Sequence, residues 1–344
     1  MIDTRTYARY VVVTLAIGAT ALLVWALADV LLLAFAGIVF AFVLRALSAP
    51  LSRLLHIPER WSVLVVVLMV LVLLVGAGWL FGSQVSEQMA ELTRRVPEAV
   101  RKLRDWIATQ PMGSVVTDTM QQARGNSGEA LKGITRFASN TVGALANALL
   151  IFFLALYLAF EPQRYVEGAL RLVPLSGRDN ARQAFRAAGR ALHKWLLGQG
   201  LAMLSVGLAT GIGLAIVGVP LALALGIVAG IAEFVPIVGP IAAAIPGILI
   251  GFSVDPKIAL YAAIVYLVVQ QLEGNLITPL AQRWAVALPP AIGLLSVVAF
   301  GLLFGVMGVL FATPLAVVTM VLLRELYVKD VLESPQGKRA AARP

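Results

Sequence analysis

The chain has 344 residues, 60% of them hydrophobic and only 13% charged, so a soluble globular domain would leave too much apolar surface in water. Its net charge of +9 does not indicate nucleic-acid binding, because lysine and arginine are also concentrated in the loops of membrane proteins. The absence of cysteine excludes disulfides, thiol nucleophiles and thiolate metal sites. The composition therefore predicts an all-α, polytopic membrane protein.

Four apolar runs in the first half of the chain predict four transmembrane helices, at 10–28, 30–44, 61–82 and 137–160. The first run has features of a signal peptide, since Arg5 and Arg9 precede it and small residues stand near its end. A second apolar run follows immediately, which favours an uncleaved helical pair. Residues 1–82 are thus predicted to hold the first three spans.

The segment 83–136 is predicted to be an extracytoplasmic helical insert. Its apolar residues recur at steps of three and four, which is typical of an amphipathic helix, and they are Val85, Met89, Leu92, Val96, Val100, Leu103 and Ile107. Pro97 should kink or restart this helix, and Pro111 and Gly113 should end it. The apolar stripe is predicted to pack either on 128–138 or on a neighbouring subunit, and its spacing does not decide between them.

The segment 161–194 is predicted to be cytoplasmic and to contain an interfacial helix. It places Arg182, Arg186, Arg190 and Lys194 at steps of four, opposite Phe185, Ala188, Leu192 and Trp195. This pattern is typical of a helix that lies on the membrane with its cations near anionic lipid headgroups, so membrane lipids are expected partners. Only two histidines occur in the chain, and neither a metal site nor a cofactor is predicted.

The segment 195–323 reads as two repeated units, 195–252 and 257–323. Each unit has one ordinary span followed by a broken apolar stretch of 33 residues, 220–252 or 290–322. As a continuous helix such a stretch would reach ~50 Å, whereas the hydrocarbon core is about 30 Å thick. Two topologies fit the charges, with single long crossings or with re-entrant hairpins. The length of each half favours hairpins, which would place Asp255 outside and Arg283 inside the cell.

The resulting fold prediction is about eight membrane segments, comprising six crossings and two re-entrant helical hairpins. Loops rich in lysine and arginine place both termini, including the tail 324–344, in the cytoplasm. Internal duplication around broken helices is typical of secondary transporters, whose binding sites lie at the breaks.

The first broken stretch contains the carboxylate Glu233 beside Pro236, Gly239 and Pro240. A charged carboxylate costs at least ~2.5 kcal/mol in hydrocarbon unless it is paired, solvated or protonated, and broken backbone offers free donors and carbonyls. These residues are predicted to line a solute or ion pathway. A carboxylate that merely caps exposed amides at a wet hairpin tip is the alternative. The second stretch has Gly305 and Gly308 at its break but no carboxylate nearby.

A second polar group lies at the end of the span 259–277. Gln270, Glu273 and Asn275 occur within six residues, and Thr278 and Pro279 follow. An ordinary interfacial carboxylate would explain Glu273 alone. The accumulation of polar residues makes a functional role about equally plausible.

These motifs resemble the AI-2E family of bacterial inner-membrane transporters. The resemblance is carried by residues 234–240, 270–279, 304–308 and 313–315, and by the stretch 194–199 that enters the fifth span. It implies a homo-oligomeric carrier in the inner membrane, with relatives assigned to export of the quorum-sensing signal autoinducer-2 and others to exchange of sodium or lithium for protons. Relatives often carry an aromatic residue where this chain has Ile237.

These residues bear on three classes of function: a transporter, a channel and an enzyme. A secondary transporter of a small polar solute leads, with a monovalent cation/proton antiporter as the alternative and an oligomeric channel as a weaker one. No Walker loop is present, so ATP is not expected to drive transport directly. An enzyme is not predicted, because the serines in the spans have no histidine within any span.

Overall fold

The computed structural model describes residues 25–108, 141–277 and 289–332, together with Pro279 and six isolated positions before residue 25. In these ranges all regular elements are helical. The helices are α1 (Ala28–Leu55), α2 (Glu59–Ala108), α3 (Thr141–Phe160), α4 (Pro162–Arg171), α5 (Arg178–Ile216), α6 (Ala222–Ala232), α7 (Val238–Val254), α8 (Pro256–Leu272) and α9 (Pro290–Leu323). A 3₁₀ turn (Leu175–Gly177) precedes α5, and π-helical segments follow α8 (Glu273–Ile277) and α9 (Arg324–Leu332). Much of the predicted first span, and all of the segment 128–138, lie outside the described residues.

The described helices are those of a multi-pass membrane protein. By length and apolar composition, four helical segments could cross a membrane, at Ala28–Leu55, Leu175–Ile216, Pro256–Ile277 and Ala291–Val328, and the last of these is interrupted at Gly305. The pair α3 and α4, bent by 89°, adds a fifth if it is counted as one span. The all-helical class is confirmed for the described residues, whereas the count of about eight segments stays a prediction.

The charged segment 45–60, which separates the predicted spans 30–44 and 61–82, is mostly helical. α1 continues to Leu55, and His56 takes a left-handed conformation (φ 55°) at the turn into α2. Arg45 forms an ion pair with Glu59 and donates to the carbonyl of Ala159 at 3.0 Å. One guanidinium of α1 thereby bonds to the first residue of α2 and to the last turn of α3.

α2 is a continuous helix of 50 residues that includes both the third span and the outer amphipathic segment. The expected interruption at Pro97 does not end it. The stripe residues Met89, Leu92 and Val96 pack in one cluster with residues of α5, α6, α7 and α8, including Leu214, Leu225 and Ile250. The stripe therefore contacts the first repeat unit of its own chain, which is neither of the two partners that the sequence offered.

Polar contacts attach α2 to the ends of α6 and α7 that lie away from the hairpin tip, called here the outer ends. The Gln88 Oε1 accepts a hydrogen bond from the backbone N–H of Ala224 at 3.1 Å, and the Lys102 Nζ donates to the carbonyl of Ser253 at 3.1 Å. Ala224 lies in the first turn of α6 and Ser253 in the last turn of α7. Groups in these turns have no partner within their own helix, so α2 caps both helices.

We expect Gln88→Ala to lower stability by about 1 kcal/mol, because it removes the acceptor for a helix N-terminal amide. Thermal unfolding of the purified protein in detergent measures the effect. The matched control is Ser86→Ala, at an exposed position on the same helix. Equal melting temperatures for Gln88→Ala and Ser86→Ala would contradict the capping role.

The basic segment before the fifth span does not form a separate surface helix. α5 runs without interruption from Arg178 to Ile216, and no proline divides it. Ala188, Leu192 and Trp195, expected to face lipid, are buried in one cluster with residues of α1 and α9. The expected boundary at residues 194 and 195 therefore falls inside α5, and the helix that turns sharply away from a membrane span is α4.

Helices α6 and α7 form the first hairpin. Leu225 of α6 packs in one cluster with Ile250 of α7, and Ala229 packs with Ala243, so the two helices run antiparallel. They have 11 and 17 residues, which is about 16 and 25 Å and too short for either to cross a 30 Å core alone. The break predicted in the stretch 220–252 is thus a reversal of the chain.

The first hairpin packs on α5 through four glycines, two on each helix. Gly207 and Gly211 of α5 face Gly226 and Gly230 of α6, and a Cβ at Gly226 would lie 2.7 Å from the Gly211 Cα. Both pairs have the spacing Gly-x-x-x-Gly, which allows membrane helices to approach closely. This contact fixes the first hairpin against the fifth span.

The second broken stretch also reverses direction, at Gly305 within α9. Gly305 has φ 62° and ψ −143°, outside the helical region. A Cβ on Gly308 would lie 1.9 Å from the Phe300 carbonyl oxygen, although eight residues of continuous helix would separate these positions by ~12 Å. The chain therefore folds back at the glycines, as it does in the first hairpin.

Candidate functional site

The tip of the first hairpin is a tight turn held by Ile237 and Gly239. Ile237 has φ 72°, which is unusual for a β-branched residue and marks a strained backbone. A Cβ on Gly239 would lie 1.8 Å from the Ala232 carbonyl oxygen, so only glycine fits there. Pro236 lies in the turn and Pro240 in the first turn of α7, where a missing N–H costs no helical hydrogen bond.

Glu233 lies at the end of α6 with only 3% of its surface exposed. Its backbone N–H bonds to the carbonyl of Ala229 at 3.0 Å. The side-chain Oε2 is buried and has no hydrogen-bond partner among the described residues. Since a buried carboxylate oxygen is costly to leave unsatisfied, this oxygen is available to a proton, a cation or a solute donor.

Gln199 of α5 connects the fifth span to the hairpin tip. Its Nε2 donates to the carbonyl of Glu233 at 2.5 Å. The bond satisfies one of the carbonyls that the end of α6 leaves without a helical partner. Gln199 therefore positions the residue that carries the buried carboxylate.

The second predicted group adjoins the first. The carboxylate of Glu273 lies within electrostatic range of Glu233 and repels it, and the π turn that begins at Glu273 packs against α5. Gln270 Nε2 donates to Glu273 Oε2 at 3.2 Å, and Asn275 Nδ2 donates to the carbonyl of Gln271 at 2.9 Å. Two carboxylates that are 40 residues apart in the sequence thus interact electrostatically in the fold.

Some predicted residues lie at the edge of this group. Asn275 and Pro279 are exposed, and Asn275 bonds to its own turn. Gly305 and Gly308 form the tip of the second hairpin and have the same backbone role as Ile237 and Gly239, without a carboxylate. The two hairpins meet through aromatic rings, because Phe234 packs edge-on against Phe311 of α9 with ring centroids 6.4 Å apart.

The sequence does not indicate the aromatic contacts at the hairpin tip or two buried hydroxyls elsewhere in α5 and α8. Trp195 of α5 packs edge-on against Phe234 at 5.9 Å, and Phe35 of α1 against Phe311 at 6.2 Å, so the aromatic contacts join α1, α5, α9 and the first hairpin. Thr210 and Tyr266 each bury a hydroxyl with no partner among the described residues. The available signal was a polar residue within an apolar run, as at Gln199 and Thr210.

The arrangement combines a buried carboxylate, a second carboxylate within electrostatic range, and a helix break at which short backbone hydrogen bonds replace the regular helical ones. Within the described ranges, histidines and acidic residues do not gather in groups of three or more. The site therefore offers two carboxylates and backbone carbonyls, which suit a proton, a monovalent cation or a hydrogen-bonding solute better than a transition metal.

Residues 12–327 of the chain match the family described as AI-2E family transporter. The chain belongs to the AI-2E transporter family. A similar protein is YueF of Bacillus subtilis (strain 168), a candidate transport protein, which is 29% identical over 304 residues and covers 81% of this chain and 80% of its own length. PerM of Escherichia coli (strain K12), a candidate permease, is 28% identical over 318 residues, which are 83% of this chain and 89% of PerM.

Membership of the AI-2E family identifies the protein as a membrane transporter and not an enzyme. The match includes both hairpins and the outer half of α2. The candidate site of this AI-2E family transporter therefore lies within the part of the chain that defines the family.

Proposed function

We propose that this AI-2E family transporter is a secondary transporter that moves a small polar solute through a site at the tip of the first hairpin, coupled to a proton or a monovalent cation at Glu233. The observation that carries the proposal is the buried, unpartnered Oε2 of Glu233 within electrostatic range of Glu273. Two carboxylates that repel each other favour binding of one positive charge between them. Release of that charge to one side of the membrane supplies the coupling.

A solute like autoinducer-2, a sugar-like diol, suits the hydrogen-bonding groups beside the carboxylates. Gln270 and Glu273 already form a donor and acceptor pair, and the strained turn at Ile237 leaves backbone groups outside regular helix. The family description, with its AI-2E name, supports this solute class. Export from the cytoplasm is the proposed direction.

Exchange of a monovalent cation for protons is the second candidate, and the carboxylate pair itself favours it. Such an exchanger needs one acidic site that binds either ion in turn, and it needs no recognition of a diol. In this case Glu233 and Glu273 would be the transport site and not only the coupling site.

One reconstitution experiment separates these candidates. Proteoliposomes are tested side by side for flux of the labelled diol and for sodium-driven proton movement. Diol flux that depends on a proton gradient supports the leading proposal, and sodium-driven proton movement without diol flux supports the second. Counterflow stimulated by solute on the far side identifies a carrier, whereas its absence during flux would indicate a channel. No diol flux and no ion exchange would contradict both.

The proposed location is the bacterial inner membrane with both termini in the cytoplasm. The distribution of arginine and lysine supports this orientation, and the relatives are bacterial. Cysteines introduced at 255 and 283 should react with an impermeant reagent from outside and inside, respectively.

Assembly as a homo-oligomer is part of the proposal, and it does not depend on the stripe of Met89, Leu92 and Val96, since these residues pack within their own chain.

A further inference from the structure

A groove of about 520 Å³ lies between α1, α4, α5 and α9. Its lining is apolar apart from Arg45 at one end, and includes Phe42, Val166, Ala169, Phe185 and Leu322. None of the candidate transport residues lines it. The volume falls within the ~300–1,000 Å³ that is usual for small-molecule sites.

A second cavity, of about 740 Å³, adjoins the groove and is strongly charged. It shares Arg45 and Pro162 with the groove. Three arginines and three glutamates line it, namely Arg45, Arg164, Arg171, Glu59, Glu161 and Glu167. An apolar groove that opens into a charged cavity fits a ligand with an apolar chain and a charged head.

The short helix α4 separates the two environments. Tyr165, Val166 and Ala169 line the groove, whereas Arg164, Glu167 and Arg171 line the charged cavity. α4 follows α3 at an angle of 89°, which is the orientation of a helix lying in the membrane interface when α3 crosses the membrane. With α4 in the interface, the groove would lie at acyl-chain depth and the charged cavity at headgroup depth.

The charges distinguish between lipid headgroups. Arg45 pairs with Glu59, and Arg164 pairs with Glu161 at 2.7 Å. The remaining charged residues of the cavity are Glu167 and Arg171, one turn apart on α4. Within the described ranges neither Glu167 nor Arg171 forms an ion pair. An equal number of cations and anions matches a zwitterionic headgroup better than an anionic one. A guanidinium binds phosphate well, and a carboxylate accepts hydrogen bonds from a primary ammonium, which a quaternary ammonium cannot donate.

We propose that these two cavities form a specific binding site for an aminophospholipid of the phosphatidylethanolamine type. One acyl chain occupies the apolar groove, the phosphate contacts Arg171, and the ammonium donates to Glu167. The bound lipid fills the space between α4 and the helices that surround the hairpins, and it is a structural partner distinct from the transported solute.

Native mass spectrometry of the delipidated, detergent-purified protein tests the proposal. Phosphatidylethanolamine, phosphatidylcholine and phosphatidylglycerol with identical acyl chains are added separately. We expect phosphatidylethanolamine to be retained at least ~5-fold better than either of the others. Equal retention of the three lipids would overturn the headgroup assignment.

Two variants address the two halves of the site. Ala169→Trp fills the groove and should reduce retention of phosphatidylethanolamine to that of phosphatidylcholine, whereas Ala148→Trp, at an exposed position on α3 outside both cavities, should bind like the wild type. Because Glu167 is exposed, Glu167→Gln should leave the protein folded. It should abolish the preference for a lipid with a primary ammonium. Wild-type lipid preference in both Ala169→Trp and Glu167→Gln would overturn the proposal.

Discussion

Glu233→Gln should reduce transport by this AI-2E family protein at least ~10-fold, because glutamine keeps the shape of the side chain but cannot bind and release a proton or a cation. The carboxylate is buried, and its Oε2 has no protein partner among the described residues. Removing the charge therefore should not destabilise the fold. Glu273→Gln should also impair transport, since it removes the second carboxylate of the pair.

The measurement is flux into proteoliposomes containing equal amounts of wild-type and variant protein. Glu98→Gln is the matched control, because Glu98 is an exposed carboxylate on the outer part of α2 and its replacement should leave transport unchanged. Melting temperatures of the variants show whether the fold is kept. Unchanged flux in both Glu233→Gln and Glu273→Gln would remove the carboxylate pair from the mechanism.

The second large effect is expected at the glycines of the hairpin tips. Alanine at position 239 would place its Cβ 1.8 Å from the Ala232 carbonyl oxygen, and alanine at position 308 would place it 1.9 Å from that of Phe300. The obstacle in each case is backbone, which cannot rotate away as a side chain can. Each substitution should cost more than ~3 kcal/mol, beyond the usual range for overpacking.

Size-exclusion profiles and thermal unfolding of the purified variants measure this cost. Gly200→Ala is the control, because Gly200 lies in α5 with no atom within 4 Å of an added Cβ, and alanine there should be neutral or stabilising by about 0.5–1 kcal/mol. A Gly239→Ala protein that unfolds at the wild-type temperature would show that the tip is not packed as described.

The hairpins could be predicted because their signal is local and geometric. A stretch of 33 apolar residues is too long for one crossing, and its prolines and glycines identify the position of the break. The chain reverses at Ile237 and Gly305, close to those residues. The role of Glu233 as a buried carboxylate follows from the same stretch of sequence.

The partners of each element could not be predicted, because they depend on which surfaces meet in the fold. A stripe such as Met89, Leu92 and Val96 indicates that something covers it, and several apolar surfaces would do so equally well. Likewise, the arginines at steps of four in α5 indicate an amphipathic helix, but the opposite face packs on α1 and α9. The hydrogen bond from Gln199 to Glu233 joins α5 to the first hairpin. Neither segment of sequence by itself indicates that the two lie close together.

The length of α2 has a mechanical consequence for the first hairpin. This helix is about 75 Å long; it is held at one end by Arg45 and Glu59, and it holds the outer ends of α6 and α7 through Gln88 and Lys102. Moving the hairpin as a whole relative to α2 would break both outer hydrogen bonds at once. Bending at the tip, where Glu233 and Ile237 lie, leaves them intact, so opening and closing of the pathway should be concentrated at the end of the hairpin that α2 does not hold.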